Sequence, residues 1–191
     1  MTRNEGPAAI RLLSIHIYPI KSCGGVDLQE AKVTSRGLLH DRRFMLVDET
    51  GRFVTQRQLP ALARLRTRLD GRNLQLDMTG REDCESLRIA LEDIQGPERE
   101  VKVWRDVLPA MDLGPEVRRW IREVLDSELS LVFMPDTTHR QVDTEYASAG
   151  DSVSFADGFP CLLTSISSLD ALQSRLRDRD DQSVVPMERF R

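Results

Sequence analysis

The sequence predicts an α+β protein that is mostly β, a barrel or strongly curled sheet with a few helices. Two observations carry this reading. Through the first two-thirds of the 191 residues, short apolar–polar alternations recur between turn-forming residues, as in a domain built from many short strands. Helical periodicity is confined to two later stretches, one around Val117–Leu125 and one after Ser165, so helices are accessory to the sheet.

Taken in order, "RLLSIHIYPI" alternates through Leu13, Ile15 and Ile17, a half-buried strand. "LQEAKVTS" is a second candidate strand, closed by Gly37. "RFMLVDETGRFVTQRQ" reads as a hairpin, Phe44 to Val47 and Phe53 to Thr55 about a Glu49-Thr50-Gly51 turn. "ARLRTRLDGRNLQLDM" is another, with Asp70-Gly71 at its tip, and "SLRIAL" and "REVKVWRDVLPAMD" add further strands. Val117, Trp120, Ile121, Val124 and Leu125 share one helical face, with Asp112 and Pro115 at its start. "ELSLVFMP" returns to strand, and 135–151 is a long polar loop. Loops of that length are commonly functional or disordered. A turn at Asp157-Gly158, a short buried strand at Cys161 to Leu163 and a helix lined by Leu169, Leu172 and Leu176 complete the expectation.

Composition narrows the function. Net charge is −4, from 31 acidic and 27 basic residues, so no global basic field favours nucleic acid. Two Trp and two Tyr offer little base stacking. The three Cys (Cys23, Cys84, Cys161) are far apart and odd in number, against a disulfide framework or a zinc ribbon. No apolar run approaches the ~20 residues of a membrane span, and "MTRNEGPAA" lacks a signal-peptide core. The expectation is a cytoplasmic protein with no membrane and no nucleic-acid partner.

Three groups of residues are suited to an anion. In "IYPIKSCGGV", Lys21 offers a point charge and Ser22 a hydroxyl at a strand end, and Gly24 and Gly25 permit a tight turn. No P-loop spacing is present, and taken alone Lys21 reads as a solvated turn lysine. Cys23 has no histidine in a motif relation to it, so packing is the favoured role over nucleophile. In "HDRRFMLVD", Arg42 and Arg43 lie on opposite faces if already in strand. One is then a fork-shaped donor or the partner of Asp41. In "TSISSLD", Thr164, Ser165 and Ser168 start a helix, where capping is the common role and anion binding the rarer one. No carboxylate pair, metal-ligand spacing or Ser-His-Asp order accompanies them.

The stretches "IYPIKSCGGV", "GLLHDRRFMLVDETGRFVTQRQLP", "VKVW", "SFADGFPCLLTSISSLDAL" and "PMERFR" together, over residues 12–191, resemble the MOSC family. The likeness is to members with a MOSC N-terminal β-barrel domain, such as the amidoxime-reducing components and bacterial N-hydroxylated-compound reductases. The resemblance implies a MOSC N-terminal β-barrel domain over 10–134. A linker loop and the opening segment of an incomplete MOSC domain would then cover 135–191. It implies a molybdenum cofactor (molybdopterin) held partly by Lys21, Ser22 and Arg42, by Thr164, Ser165 and Ser168, and by Arg191. The family's metal-ligand Cys is expected downstream of Arg191, so the chain is read as truncated and is expected to lack the cofactor on its own. Cys23 is no substitute for that ligand. The implied activity of the full-length form is reduction of N-hydroxylated compounds, with an iron–sulfur or cytochrome-type electron-transfer partner. The alternatives are a non-catalytic molybdenum-cofactor or sulfur-carrier binding module, and a non-enzymatic barrel that binds nucleic acid or a phosphorylated ligand through its arginines, which the acidic net charge and few aromatics disfavour.

Overall fold

The computed structural model describes residues 10–179 and 181–190. Strands β1 (Ile15–Ile17) and β2 (Val26–Leu28) pair antiparallel, as do the short β3 (Val33–Thr34) and β4 (Gly37–Leu38). The next strand, β5 (Phe44–Val47), is buried at every position. Strands β6 (Leu65–Leu69), β7 (Asn73–Met78) and β8 (Leu87–Ala90) form a three-stranded antiparallel sheet. A long hairpin follows, β9 (Glu98–Val103) and β10 (Asp106–Asp112), then helix α1 (Gly114–Leu125) and strand β11 (Ser130–Phe133). The central sheet has the order β5-β11-β10-β9, antiparallel throughout. The only later element of length is helix α2 (Ile166–Arg177), among the described residues.

The continuous apolar run of β5 arises because the central sheet is covered on both faces. Successive side chains alternate between them. Phe44 and Leu46, with Leu131 of β11, enter one core, where they meet Leu65, Leu74 and Leu76 of the smaller sheet and Val117, Ile121 and Val124 of α1. Met45 and Val47, with Val132, enter a second core with Val101, Val103, Leu108 and Ala110 of the β9–β10 hairpin and with Phe53 and Phe155. The fold is thus mostly β with two helices and a curled half-barrel sheet, as expected. No helix of the described residues is long and apolar enough to cross a membrane.

The β6–β7 hairpin stands where its turn placed it, whereas the strand expected at residues 53–55 reduces to an isolated bridge between Phe53 and Val47, and β5 pairs with β11 instead. At the β6–β7 tip, Asp70 Oδ1 accepts from the Arg72 and Asn73 amides (3.1 and 2.7 Å), and Gly71 takes φ +89°, a conformation that favours glycine. Two further expectations need correction. "LQEAKVTS" is not one strand: it breaks between β2 and β3, which pair with different partners. Residues 161–163 form no strand and are exposed, Leu163 at 88%. An apolar triplet without alternation specifies a strand only where a partner edge awaits it, and none pairs with it among the described residues.

Candidate functional site

The opening turn is built onto the central sheet. Ile20 bridges to Phe44, and the Lys21 amide donates to the Phe44 carbonyl at 2.9 Å. The Gly24 amide then donates to Leu65 of β6 at 2.8 Å. A Cβ on Gly24 would stand 2.9 Å from that carbonyl oxygen, so the turn's approach to β6 requires glycine. Cys23 is wholly buried in the first core, the packing role expected of it.

Lys21 is not the solvated turn lysine of the sequence reading. It is 6% exposed. Its Nζ lies 5.5 Å from the Phe53 ring centroid and 5.6 Å from that of Trp104, and it donates to Asp157 Oδ1 at 2.5 Å. Burial pushes its pKa below the ordinary lysine value, the Asp157 hydrogen bond and charge oppose that, and Arg140 and Arg42 reinforce it. Asp157 is held below the usual carboxylate range. Burial would raise it, but the Lys21 hydrogen bond and charge and the Trp104 N–H outweigh that effect.

Arg42 does not begin a strand. It takes φ +47°, its amide donates to the Tyr18 carbonyl (2.8 Å), and its guanidinium lies 4.8 Å from the Tyr18 ring centroid. Its Nη1 donates to Asp41 Oδ2 at 2.5 Å, and Asp41 Oδ1 accepts from the Tyr18 amide at 2.7 Å. Burial raises the Asp41 pKa, against the lowering effect of Arg42 and the Tyr18 N–H. Arg43 turns away and donates to Met134 O and Asp136 Oδ1.

Buried Arg140 fixes the segment opposite. It donates to the carbonyls of Ser154 (2.9 Å), Ala156 (2.5 Å) and Asp157 (3.1 Å), and its Nε to Asp106 Oδ2 (2.7 Å). The Phe155 amide donates to the Arg42 carbonyl (2.9 Å). Between these walls lies a cleft of about 310 Å³, lined by Tyr18, Lys21, Ser22, Arg42, Asp157 and Phe159 and closed by Ala156, Gly158, Cys161 and Leu162. Two cations and a hydroxyl thus face a space with aromatic walls, an arrangement able to hold an oxyanion joined to a flat group. Ser22, Arg42 and Trp104 all carry φ between +47° and +68°. Such strain costs about 1–3 kcal/mol per residue and gathers at functional sites.

Of the seven residues singled out in sequence, the structure brings Lys21, Ser22 and Arg42 to one cleft. Thr164, Ser165 and Ser168 are exposed and do not line it. Ser165 caps α2, accepting from the Ser168 amide (3.1 Å), and Thr164 donates to Met187 Sδ (3.3 Å). Arg191 lies outside the described residues. The sequence reading missed Asp157, Arg140, Trp104 and Tyr18 as site residues. "DG" was legible as a turn and "VKVW" as a matching stretch, whereas nothing in the polar loop distinguished Arg140. The donor set, two cations and a hydroxyl, suits an oxyanion such as a phosphate, and the described residues contain no group of three or more His, Cys, Asp or Glu that could hold a metal ion.

Known proteins resemble this chain along most of its length. The family model of the MOSC N-terminal beta barrel domain matches residues 9–128. Mitochondrial amidoxime reducing component 2 of Rattus norvegicus is 32% identical over 93% of this chain and 53% of its own. Mitochondrial amidoxime-reducing component 1 of Mus musculus is 29% identical over 85% of this chain and 50% of its own. Molybdenum cofactor sulfurase of Oryza sativa subsp. japonica is 28% identical over 95% of this chain and 23% of its own. The chain therefore spans about half the length of the first kind of relative and about a quarter of the second. With the family model covering more than half of its residues and the barrel's strands in place, the chain belongs to the MOSC N-terminal beta barrel domain family.

Proposed function

We propose that the chain is the N-terminal part of a molybdenum-cofactor-binding oxidoreductase that, in full-length form, reduces N-hydroxylated compounds in the cytoplasm. The observation that carries this is the convergence of Lys21, Ser22 and Arg42, from two separate turns, on one cleft. Those groups would hold the phosphate end of the cofactor, as paired cations and a hydroxyl do, and Tyr18 and Phe159 would flank its rings. The bound metal would supply the two-electron chemistry. An electron-transfer partner of iron–sulfur or cytochrome type completes the proposal.

A second reading has support of its own, since relatives named molybdenum cofactor sulfurase align with as much of the chain as the reducing components do. On that reading the cleft belongs to a non-catalytic cofactor-binding or sulfur-carrier module. One experiment separates them. The chain, extended through its encoding locus, is made in a molybdenum-competent host and analysed for molybdenum and pterin. It is then assayed for amidoxime reduction with a chemical electron donor. Near-stoichiometric cofactor with turnover supports the reductase. Cofactor without turnover supports the carrier. Lys21→Ala and Arg42→Ala are each expected to remove most of the bound cofactor, and full retention in both overturns the assignment of the cleft.

A further inference from the structure

Two donors converge on one atom of Asp157, a residue that lines the cleft. Lys21 Nζ and Trp104 Nε1 both donate to Asp157 Oδ1, at 2.5 and 3.2 Å. We propose that these two donors form an oxyanion site which the chain fills with its own Asp157 carboxylate, and that an anionic ligand enters by displacing that carboxylate. The inference rests on the reading of the cleft as an anion site.

Lys21 is held by burial, whereas the carboxylate it meets is largely exposed. Lys21 is buried against the Phe53 and Trp104 rings, which pack on each other with centroids 4.9 Å apart. Trp104 occupies the first position of the two-residue turn between β9 and β10, with φ +55°. Turns of this length place glycine or asparagine at such an angle. A tryptophan held there is a bulky residue in a conformation it rarely adopts, and what the placement achieves is an indole N–H aimed at the Asp157 oxygen. Phe53, Trp104 and Lys21 thus act as a preformed frame.

Asp157 differs from them. Its backbone is anchored by Arg140 through its own carbonyl and that of Ala156, but its side chain is 71% exposed. Residues 158–165 beyond it have no helix or strand. The carboxylate can therefore rotate toward solvent while the main chain stays in place. Arg42 adds a second positive charge near the same carboxylate. A singly charged Asp157 answers only part of that field, so a doubly charged oxyanion such as a phosphate monoester gains more from the site than the carboxylate it replaces. Asp157 thereby sets a charge threshold, resisting monoanions and yielding to dianions.

Sulfate, a dianion throughout the accessible pH range, is the probe. The chain contains two tryptophans, Trp104 and Trp120, so a Trp120→Phe background leaves one indole N–H resonance to follow by ¹⁵N NMR during titration. Sulfate is expected to shift that resonance, and Asp157→Asn is expected to bind sulfate roughly tenfold tighter. Acetate should become detectable as a ligand only when Asp157 is replaced, and Lys21→Ala should abolish both responses while the backbone spectrum stays folded. Asp157→Ser, unable to reach the donors, should behave as Asp157→Asn does. Sulfate binding that is unchanged or weaker in both Asp157 variants overturns the proposal, as does binding that leaves the indole resonance unmoved. Neither result depends on cofactor content: an extended chain that carries molybdenum while its Asp157 variants bind sulfate no tighter would refute this site alone.

Discussion

Arg140 illustrates what a single buried side chain can organise. Four of its hydrogen bonds reach Asp106 and three main-chain carbonyls between Ser154 and Asp157. Replacing it by Ala leaves those acceptors unanswered in a dry environment, so Arg140→Ala is expected to lose about 3–5 kcal/mol of stability. Arg140→Lys should recover under half of that, because an ammonium cannot fork to several acceptors. Urea unfolding checks both, and a lysine variant as stable as wild type would show that charge alone suffices. Asp157 gives the pH dependence. Its folded pKa lies below its unfolded value, so its contribution is present above about pH 4 and is lost as pH falls through the folded pKa. Asp41 has the opposite sign, since its pKa is raised and protonation relieves its burial. Thermal midpoints from pH 6 downward should therefore fall more steeply in wild type than in Asp157→Asn, and parallel curves would contradict the linkage. Lys21 and Arg42 stand out in the sequence because their stretches carry donors suited to an anion and match the family resemblance, although spacing alone makes Lys21 a solvated turn lysine. The Asp41 partner of Arg42 was legible as its neighbour, but the counterion of Lys21 was not, because Asp157 pairs with it across 136 positions and spacing carries no trace of such a contact.

At the scale of elements, the two helices contrast. Helix α1 buries Val117, Ile121, Val124 and Leu125, and Asp126 closes it in the left-handed conformation (φ +49°) with its amide on the Arg122 carbonyl. Helix α2 buries none of its residues. Its N-cap bond from the Ser168 amide to Ser165 supplies local order, but most helix stability in proteins comes from packing an apolar face. Ile121→Ala is thus expected to cost about 2–5 kcal/mol, and Leu172→Ala, on a half-buried face, under about 1 kcal/mol. Amide exchange should follow the same order, with α1 protected to the level of global unfolding and α2 exchanging through local opening. Equal protection of the two would mean that α2 has a tertiary anchor. Both helices were readable from periodicity, which reports an apolar face without saying whether anything covers it. The triplet Cys161–Leu163 misled for the same reason: it has the composition of a buried strand, and burial is a property of the neighbours.

The whole molecule is held by two cores back to back across the sheet β5-β11-β10-β9. Alternate residues of one strand, Phe44 and Leu46 against Met45 and Val47, belong to different cores, so neither core can loosen without disturbing the strand they share. That coupling predicts a single cooperative transition for the body of the protein. Residues 159–190 stand largely outside it, for no described residue there is buried. Their ties to the body include the Tyr18 hydroxyl donating to the Glu188 carbonyl (3.4 Å) and Pro160 lying against Gly37. A chain ending at Gly158 retains both cores, Lys21, Arg42, Asp157 and the Arg140 clamp. It is therefore expected to unfold in urea as one transition, within about 1 kcal/mol of the full chain. Its m-value should be only slightly smaller, since little apolar surface is removed with the segment. A loss of several kcal/mol, or a split transition, would show that the exposed segment closes the fold by contacts that burial does not reveal. The opposite outcome would place both cores and the Lys21–Asp157 pair within a self-sufficient body, with 159–190 as an appendage whose apolar surface contributes nothing to that body's stability.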